Sequence, residues 1–291
     1  MEIISIPGFS DPFSSIVHLL AAFAAFVGSF FLYLEGSGNH TRFFSLFVFS
    51  FSMIFLFSMS GIYHLLEPGN LPRAVFQRLD HAAIWVLIAG TFTPIHTLLF
   101  RGVWRWGFLL AIWSVAITGL VLEVVFFTDV PEWMSLSFYL GLGWMGVISG
   151  IEYSRVHGWH DARLIAFGGL SYSIGAILEF SRWPVLINGV IGPHEIFHVF
   201  IIIGAGCFWL FIYERAGHPI ISKLVVDVVE RPDGEFSAKV KGEKIVVDAT
   251  SLDQLKSLLN TEVNKRFPKP VRPDSMLLNF RKEDVIELDH I

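Results

Sequence analysis

Seven stretches of about 20 mainly apolar residues, near 13–34, 42–66, 77–100, 104–127, 132–153, 162–180 and 194–213, constrain this chain more than any other feature. About 20 residues is the length an α-helix needs to cross roughly 30 Å of hydrocarbon. In lipid, only helices and closed barrels satisfy every backbone polar group, and these runs are too long and too evenly apolar for barrel strands. The expected fold is an all-α membrane protein, a seven-transmembrane helix bundle. Composition points the same way: the 291 residues are 53% hydrophobic and 16% charged, with a mean hydropathy of +0.59. Short connections carry the helix breakers: EGSGNHTR, EPGNLPR, FRG, TDVPE, RVHGWHD and the longer SRWPVLINGVIGP. Small residues in the fifth run (Gly141, Gly143, Gly146, Gly150) and sixth run (Gly168, Gly169, Gly175) predict close helix contacts.

Charge divides the chain. All nine basic residues before Lys223 are Arg, whereas residues 219–291 hold 12 Lys/Arg and 13 Asp/Glu, a soluble density. The expected organisation is an N-terminal segment (1–12), a membrane domain (13–213) and a small soluble α+β domain (219–291). In the last, LVVDVVE and EFSAKV flank a Pro-Asp-Gly turn and predict a hairpin over 224–230 and 235–241, with a third strand over 244–248. Thr250 and Ser251 are good helix caps, and Leu252, Leu255, Leu258 and Leu259 share one face of the helix that follows. Strands over 276–280 and 284–288 complete the unit. The single cysteine, Cys207, excludes an intramolecular disulfide, and no cleaved signal peptide is expected.

An odd number of spans assigns each polar residue near a helix end to one face of the membrane. His18 lies early in the first span, Ser60 and His64 late in the second, Asp80 and His81 early in the third, and His194 and His198 open the last. All fall on the N-terminal face. Ionisable groups inside spans are costly and face the bundle interior, paired or functional. Residues four apart on a helix share a face, so His194 and His198 can address one point, and Ser60 stands one turn below His64. Three neutral imidazoles are a good shell for Zn²⁺, and the fourth position left to water is the mark of a catalytic site. Imidazoles without a coordinating carboxylate favour zinc over Fe²⁺ or Mn²⁺. Zinc lowers the pKa of its water toward about 7, which makes that water the nucleophile. Asp80 is the candidate to orient or deprotonate it, and Ser60 the candidate to hydrogen-bond the water or an oxyanion. The plainer reading of any single membrane histidine is a buried hydrogen-bond partner. That reading is kept for His18, as a contact to a neighbouring helix, and for His81, which points away from Asp80. Glu123 is placed on the opposite face as a neutral or hydrogen-bonded carboxylate; His96, His157 and His160 have no assigned role.

SGIYH (60–64), RLDHAAIWVLIAGTFTP (78–94) and HEIFH (194–198) together resemble the hemolysin III and progestin/adipoQ receptor superfamily. Its marks are S-x-x-x-H closing the second helix, Asp opening the third and H-x-x-x-H opening the seventh. DPFSSIVHLL (11–20) is similar to the family's E-x-x-N-x-x-T-H segment, with Asp11 in place of Glu and with Ser14 and Val17 where Asn and Thr are usual. The resemblance covers residues 11 to 213. It implies zinc held by His64, His194 and His198, with Asp80 and Ser60 near its water, and, through the related alkaline ceramidases, hydrolysis of a lipid amide. It also implies that Glu195 is incidental. In a soluble zinc protease the Glu of H-E-x-x-H is the general base, but an intramembrane metalloprotease takes a further aspartate from a later membrane segment, and no apolar run follows residue 213.

Three functions stay open at this point: a zinc-dependent hydrolase of a lipid amide or ester, a zinc-stabilised receptor or sensor, and an ion- or proton-conducting protein. A membrane lipid is the expected substrate or ligand, and no nucleic acid is expected. Arg73, Arg78 and Arg182 lie on the N-terminal face, against Arg42, Arg101, Arg105, Arg155, Arg163 and Arg215 on the other. The positive-inside rule then places the C-terminal domain in the cytosol; resemblance to the adiponectin receptors implies the reverse. The charge count, which uses this chain's own residues, is the expectation adopted.

Overall fold

A computed structural model describes residues 3–37, 39–100, 102–217, 223–241, 243, 245–267, 273 and 275–282. Seven helices carry the expected spans: α1 (Pro12–Glu35), α2 (His40–Leu65), α3 (Leu71–Leu99), α4 (Val103–Val125), α5 (Glu132–His157), α6 (Trp159–Phe180) and α7 (Pro193–Ala216). Each is long and apolar enough to cross a bilayer. Helix α3 starts six residues before its apolar run. Asn70 caps it by accepting from the Arg73 amide at 2.8 Å, and Pro72 suits its first turn. This polar first turn is invisible to a search for apolar runs, yet it puts Arg73 on the helix. Helices α5 and α6 run closer together than RVHGWHD suggests, because Gly158 alone connects them. Its φ of +85° lies in the left-handed region, which glycine enters without steric cost.

Helix α3 is the axis of the bundle and packs against α2, α4, α5 and α7. Trp85, Ala89 and Phe92 interlock with Leu109, Ile112 and Ala116 of α4 and Leu142 of α5. Lipid tails are as apolar as these side chains, so the contact is held by close packing rather than by expulsion of water. Thr91, Thr93 and Thr97 return their hydroxyls to carbonyls one turn back at 2.7, 2.8 and 2.9 Å, which satisfies those three donors within the buried helix. At the α6–α7 contact Gly168 lies under Phe208 and Gly175 under Phe200, where a methyl group would approach each side chain to 2.7 Å. Gly141, Gly143 and Gly169 face nothing within 4 Å, so the small-residue reading holds for part of α6 but little of α5. Helix α1 packs against both α2 and α7, so the first and last spans are neighbours.

The second compact unit begins at Pro219. Strands β1 (Lys223–Glu230), β2 (Phe236–Val240), β3 (Val246–Ala249) and β4 (Ser275–Lys282) form one sheet in the order β3-β2-β1-β4, with helix α8 (Leu252–Arg266) between β3 and β4 in the chain. The β1–β2 and β2–β3 pairs are antiparallel; β1 and β4 are parallel, with Val226 beside Leu278. The hairpin turns where expected, closed by the Gly234 amide on the Arg231 carbonyl at 2.9 Å. Leu224, Val226 and Val228 bury one face of β1 in a core that includes Leu255, Leu259 and Val263 of α8. Leu258 points outward instead, with 37% exposure. Residues 284–288, expected as a strand, lie outside the described residues.

Candidate metal centre

The ends of α1, α2, α3, α6 and α7 meet on the N-terminal face. The chain before α1 docks on the end of α2, with the Asp11 amide donating to the His64 carbonyl at 2.9 Å and the Ser15 hydroxyl to the Gly61 carbonyl at 2.8 Å. Asp11 stands at the N-cap of α1, where an aspartate ordinarily accepts from the helix's own amides. It does not cap. Its Oδ2 accepts instead from His64 Nδ1 at 2.9 Å and from Arg73 Nη2 at 2.7 Å. Burial pushes the Asp11 carboxyl up, but the His64 and Arg73 hydrogen bonds outweigh it and hold the group below its ordinary value of 3.8. Arg73 also donates to the Leu66 carbonyl and lies 4.8 Å over the Tyr63 ring.

Helix α7 repeats the arrangement. His194 Nδ1 donates to Glu179 Oε1 of α6 at 3.3 Å, and the same oxygen accepts from Arg182 Nη1 at 2.7 Å. A second Arg182 nitrogen reaches Glu132 of α5 at 2.6 Å. Each of these imidazoles therefore rests on a carboxylate that is itself neutralised by an arginine. A carboxylate at Nδ1 fixes the tautomer with the proton on Nδ1, so Nε2 presents a bare lone pair.

The two bare Nε2 atoms face each other at 3.2 Å. Tetrahedral bonds of about 2.0–2.1 Å to one zinc ion would set two nitrogens roughly 3.3 Å apart. With Nδ1 protonated on both rings, the spacing suits a cation between the two nitrogens, either a metal ion or the proton of an imidazolium hydrogen-bonded to the other ring. His198 completes the group, and the ligand atoms of His64, His194 and His198 all lie within 4.8 Å of one another. The donor set, three imidazoles with two of them oriented from behind, fits a metal ion of zinc's preferences.

Around the cluster, polar atoms stand unused. Ser60 is 1% exposed, and its Oγ has no hydrogen-bond partner among the described residues; His198 Nδ1 is likewise unpaired. Asp80 is half-buried, with its carboxylate in electrostatic reach of His64 and His194. His18 is more than a contact to a neighbouring helix. Its ring stacks on His198 with centroids 3.9 Å apart and planes 13° from parallel, and neither of its nitrogens has a hydrogen-bond partner among the described residues. Stacked rings aim their nitrogens along parallel planes, so His18 backs the cluster rather than joining its three ligand atoms.

Glu195, the middle residue that makes HEIFH look like a protease motif, is used structurally. One oxygen accepts from the Gly192 amide at 2.9 Å and closes the N-terminus of α7; the other accepts from Ser14 of α1 at 3.2 Å. Through these two contacts it ties α1 to α7. His81 points away from Asp80, as expected, and donates to Glu123 at 3.2 Å; Ser135 donates to the other Glu123 oxygen at 2.9 Å. The placement of Glu123 on the opposite face is therefore wrong. It closes the fourth span, an even-numbered helix that returns to the N-terminal face. Sequence reasoning gave no role beside the histidines to Arg73, Glu179 or Arg182. Glu179 carried a signal, since an acid in the last turn of a helix opposes the helix dipole and needs a reason to be there.

The family model for haemolysin-III related proteins matches residues 9–209. Hemolysin-3 of Bacillus cereus is 34% identical over 160 residues, covering 54% of this chain and 68% of that protein. The Hemolysin-3 homolog of Bacillus subtilis (strain 168) is 30% identical over 177 residues, 60% of this chain and 79% of its own length. Heptahelical transmembrane protein ADIPOR2 of Oryza sativa subsp. japonica is 27% identical over 163 residues, 51% of this chain and 71% of that protein.

Proposed function

Because this chain belongs to the haemolysin-III related family of multi-pass membrane proteins, we propose that it is a zinc protein that hydrolyses an amide or ester of a membrane lipid at the histidine cluster. The observation that carries the reading is the convergence of three imidazoles, two of them with Nε2 atoms 3.2 Å apart and carboxylates behind Nδ1. Ser60 and Asp80 then supply what hydrolysis needs and a purely structural ion would not. When bound, zinc supplies Lewis acidity and an activated water. Asp80 accepts the proton of the attacking water and returns it to the departing amine or alcohol as the carbonyl carbon–nitrogen or carbon–oxygen bond breaks. The unpaired Ser60 hydroxyl donates to the carbonyl oxygen as it gains charge. Asp11 and Glu179 keep Nδ1 protonated on their imidazoles, so the lone pairs stay turned inward. Cleavage of a bilayer lipid leaves a fatty acid and a single-chain product, both of which loosen a bilayer, which accords with the haemolysin names of the two bacterial relatives.

The test is metal analysis of the purified protein beside a triple His64→Ala, His194→Ala, His198→Ala control, with mass spectrometry of lipid amides and esters after incubation. The expected result is one zinc per chain, absent from the control, and a lipid consumed by wild type but not by Asp80→Asn, which keeps its zinc. Metal-free wild-type protein would overturn the site. Zinc with no turnover across both lipid classes would favour the second reading, a receptor in which the ion clamps α2 to α7. The carboxylate–arginine pairs behind two ligands favour that reading too, since they suit a permanently held ion.

A further inference from the structure

The α6–α7 connection is unlike the other helix connections. From Trp183 to Pro193 it reads WPVLINGVIGP, without one charged residue, where the α2–α3 connection on the same face carries Glu67. A loop in water ordinarily exposes polar side chains; this one exposes Trp183 (67%), Leu186 (64%), Ile187 (51%) and Val185 (48%). It is also a built element. Ile187 and Ile191 pair across a tight turn, with the Ile191 amide on the Ile187 carbonyl at 2.8 Å. The Ile4 amide donates to the Gly189 carbonyl at 2.8 Å, which brings the N-terminal segment alongside, and that segment exposes Ile4 and Ile6. Such a patch, ordered and apolar, marks contact with something apolar.

Position identifies the occupant. The loop leaves α6 just past Arg182, whose ion pairs to Glu179 and Glu132 stand at the span's end, and it re-enters the helical layer at His194. Its apolar surface continues that of α6, where Ile177 and Phe180 are exposed toward lipid. Trp183 beside an arginine is the pairing that settles at a headgroup boundary. The partner is thus the acyl region of a bilayer. Among the three histidines the open one is His194, whose side chain is 40% exposed immediately beside this loop.

We propose that residues 183–191, with Ile4 and Ile6, form a cap seated in the membrane interface, so that the exposed edge of the histidine cluster opens to lipid rather than to bulk water. This rests on the seven-span reading and not on hydrolysis. It is tested by spin labels in a Cys207→Ser background, in proteoliposomes, at Leu186→Cys and Val185→Cys. Phe30→Cys on the lipid face of α1 and Glu67→Cys in the α2–α3 connection are the references. Collision with dissolved oxygen and with a water-soluble nickel chelate reads depth. Labels on the cap should favour oxygen over the chelate, as at Phe30. Labels that collide with the chelate as at Glu67 would place the cap in water and overturn the proposal. The two positions are read separately, so one misfolded variant does not remove the test.

Discussion

Removing the carboxylate behind His64 should weaken zinc binding without touching a ligand. In Asp11→Ala, His64 Nδ1 loses its acceptor at 2.9 Å and Arg73 loses its anion at 2.7 Å, both in a half-buried setting. A hydrogen bond to a charged group is worth about 1.5–3 kcal/mol net, and loss of a carboxylate behind a metal-bound imidazole costs roughly 10–100-fold in affinity. The expected loss for Asp11→Ala is about 100-fold, or roughly 2.7 kcal/mol. Asp11→Asn keeps a neutral acceptor and should lose about tenfold. Glu179→Gln should lose less than Asp11→Ala, because the His194 contact is longer at 3.3 Å and Arg182 already shares the oxygen. The assay is competition with a chromophoric zinc chelator, on protein in lipid nanodiscs whose helical content matches wild type. Affinity of Asp11→Ala within about twofold of wild type would refute the reasoning, since a carboxylate that neither sets the tautomer nor holds the ring could be removed without effect.

Three further outcomes follow from the geometry. His18→Phe keeps the stack on His198 and should retain zinc, whereas His18→Ala opens space behind that ring and should lose affinity; equal zinc content in both, by metal analysis, would show that the stack supports nothing. Glu195→Ala removes the α7 cap and the Ser14 tie and should cost about 1–2 kcal/mol, seen as a lower melting temperature in detergent for the metal-free protein. Since Asp11 has its folded-state pKa below 3.8, its stabilisation is complete above that value and fades as pH falls through the folded one. The melting-temperature gap between metal-free wild type and Asp11→Asn should therefore hold from pH 7 to about 5 and close below 3.8; a gap that widens on acidification would contradict the sign.

Much of the bundle was legible because lipid imposes one strong rule, an apolar run of fixed length, and seven runs meet it. Where that rule is silent, the reading slipped. The first turn of α3 is helical through Asn70 and Pro72 rather than through hydropathy, and Arg73 was visible only as a charge to be counted. The three imidazoles could be grouped by counting spans, since an i,i+4 pair and a helix end leave few options. The same counting, applied correctly, would have put Glu123 on their side. The partners of Asp11 and Glu179 were beyond reach for another reason: which ring nitrogen a carboxylate meets depends on how helices rotate about their axes, and periodicity in one helix does not report on its neighbour. His18 shows the limit from the other direction. The sequence places it at the right depth, but stacking face to face on His198 is a matter of side-chain direction alone.

The order in which the chain is made bears on how the cluster fills. His64 is synthesised early, but its partners lie 130 and 134 positions later, at the start of the final span. A nascent chain that has inserted six helices holds one imidazole and its Asp11 brace, which is too little to retain an ion. Only when the ribosome has delivered the seventh helix, and it has docked against the first, do the three rings come within range of one another. In the proposed site, ion capture would thus be the closing act of biogenesis, and a product truncated anywhere before residue 194 would lack two of the three imidazoles.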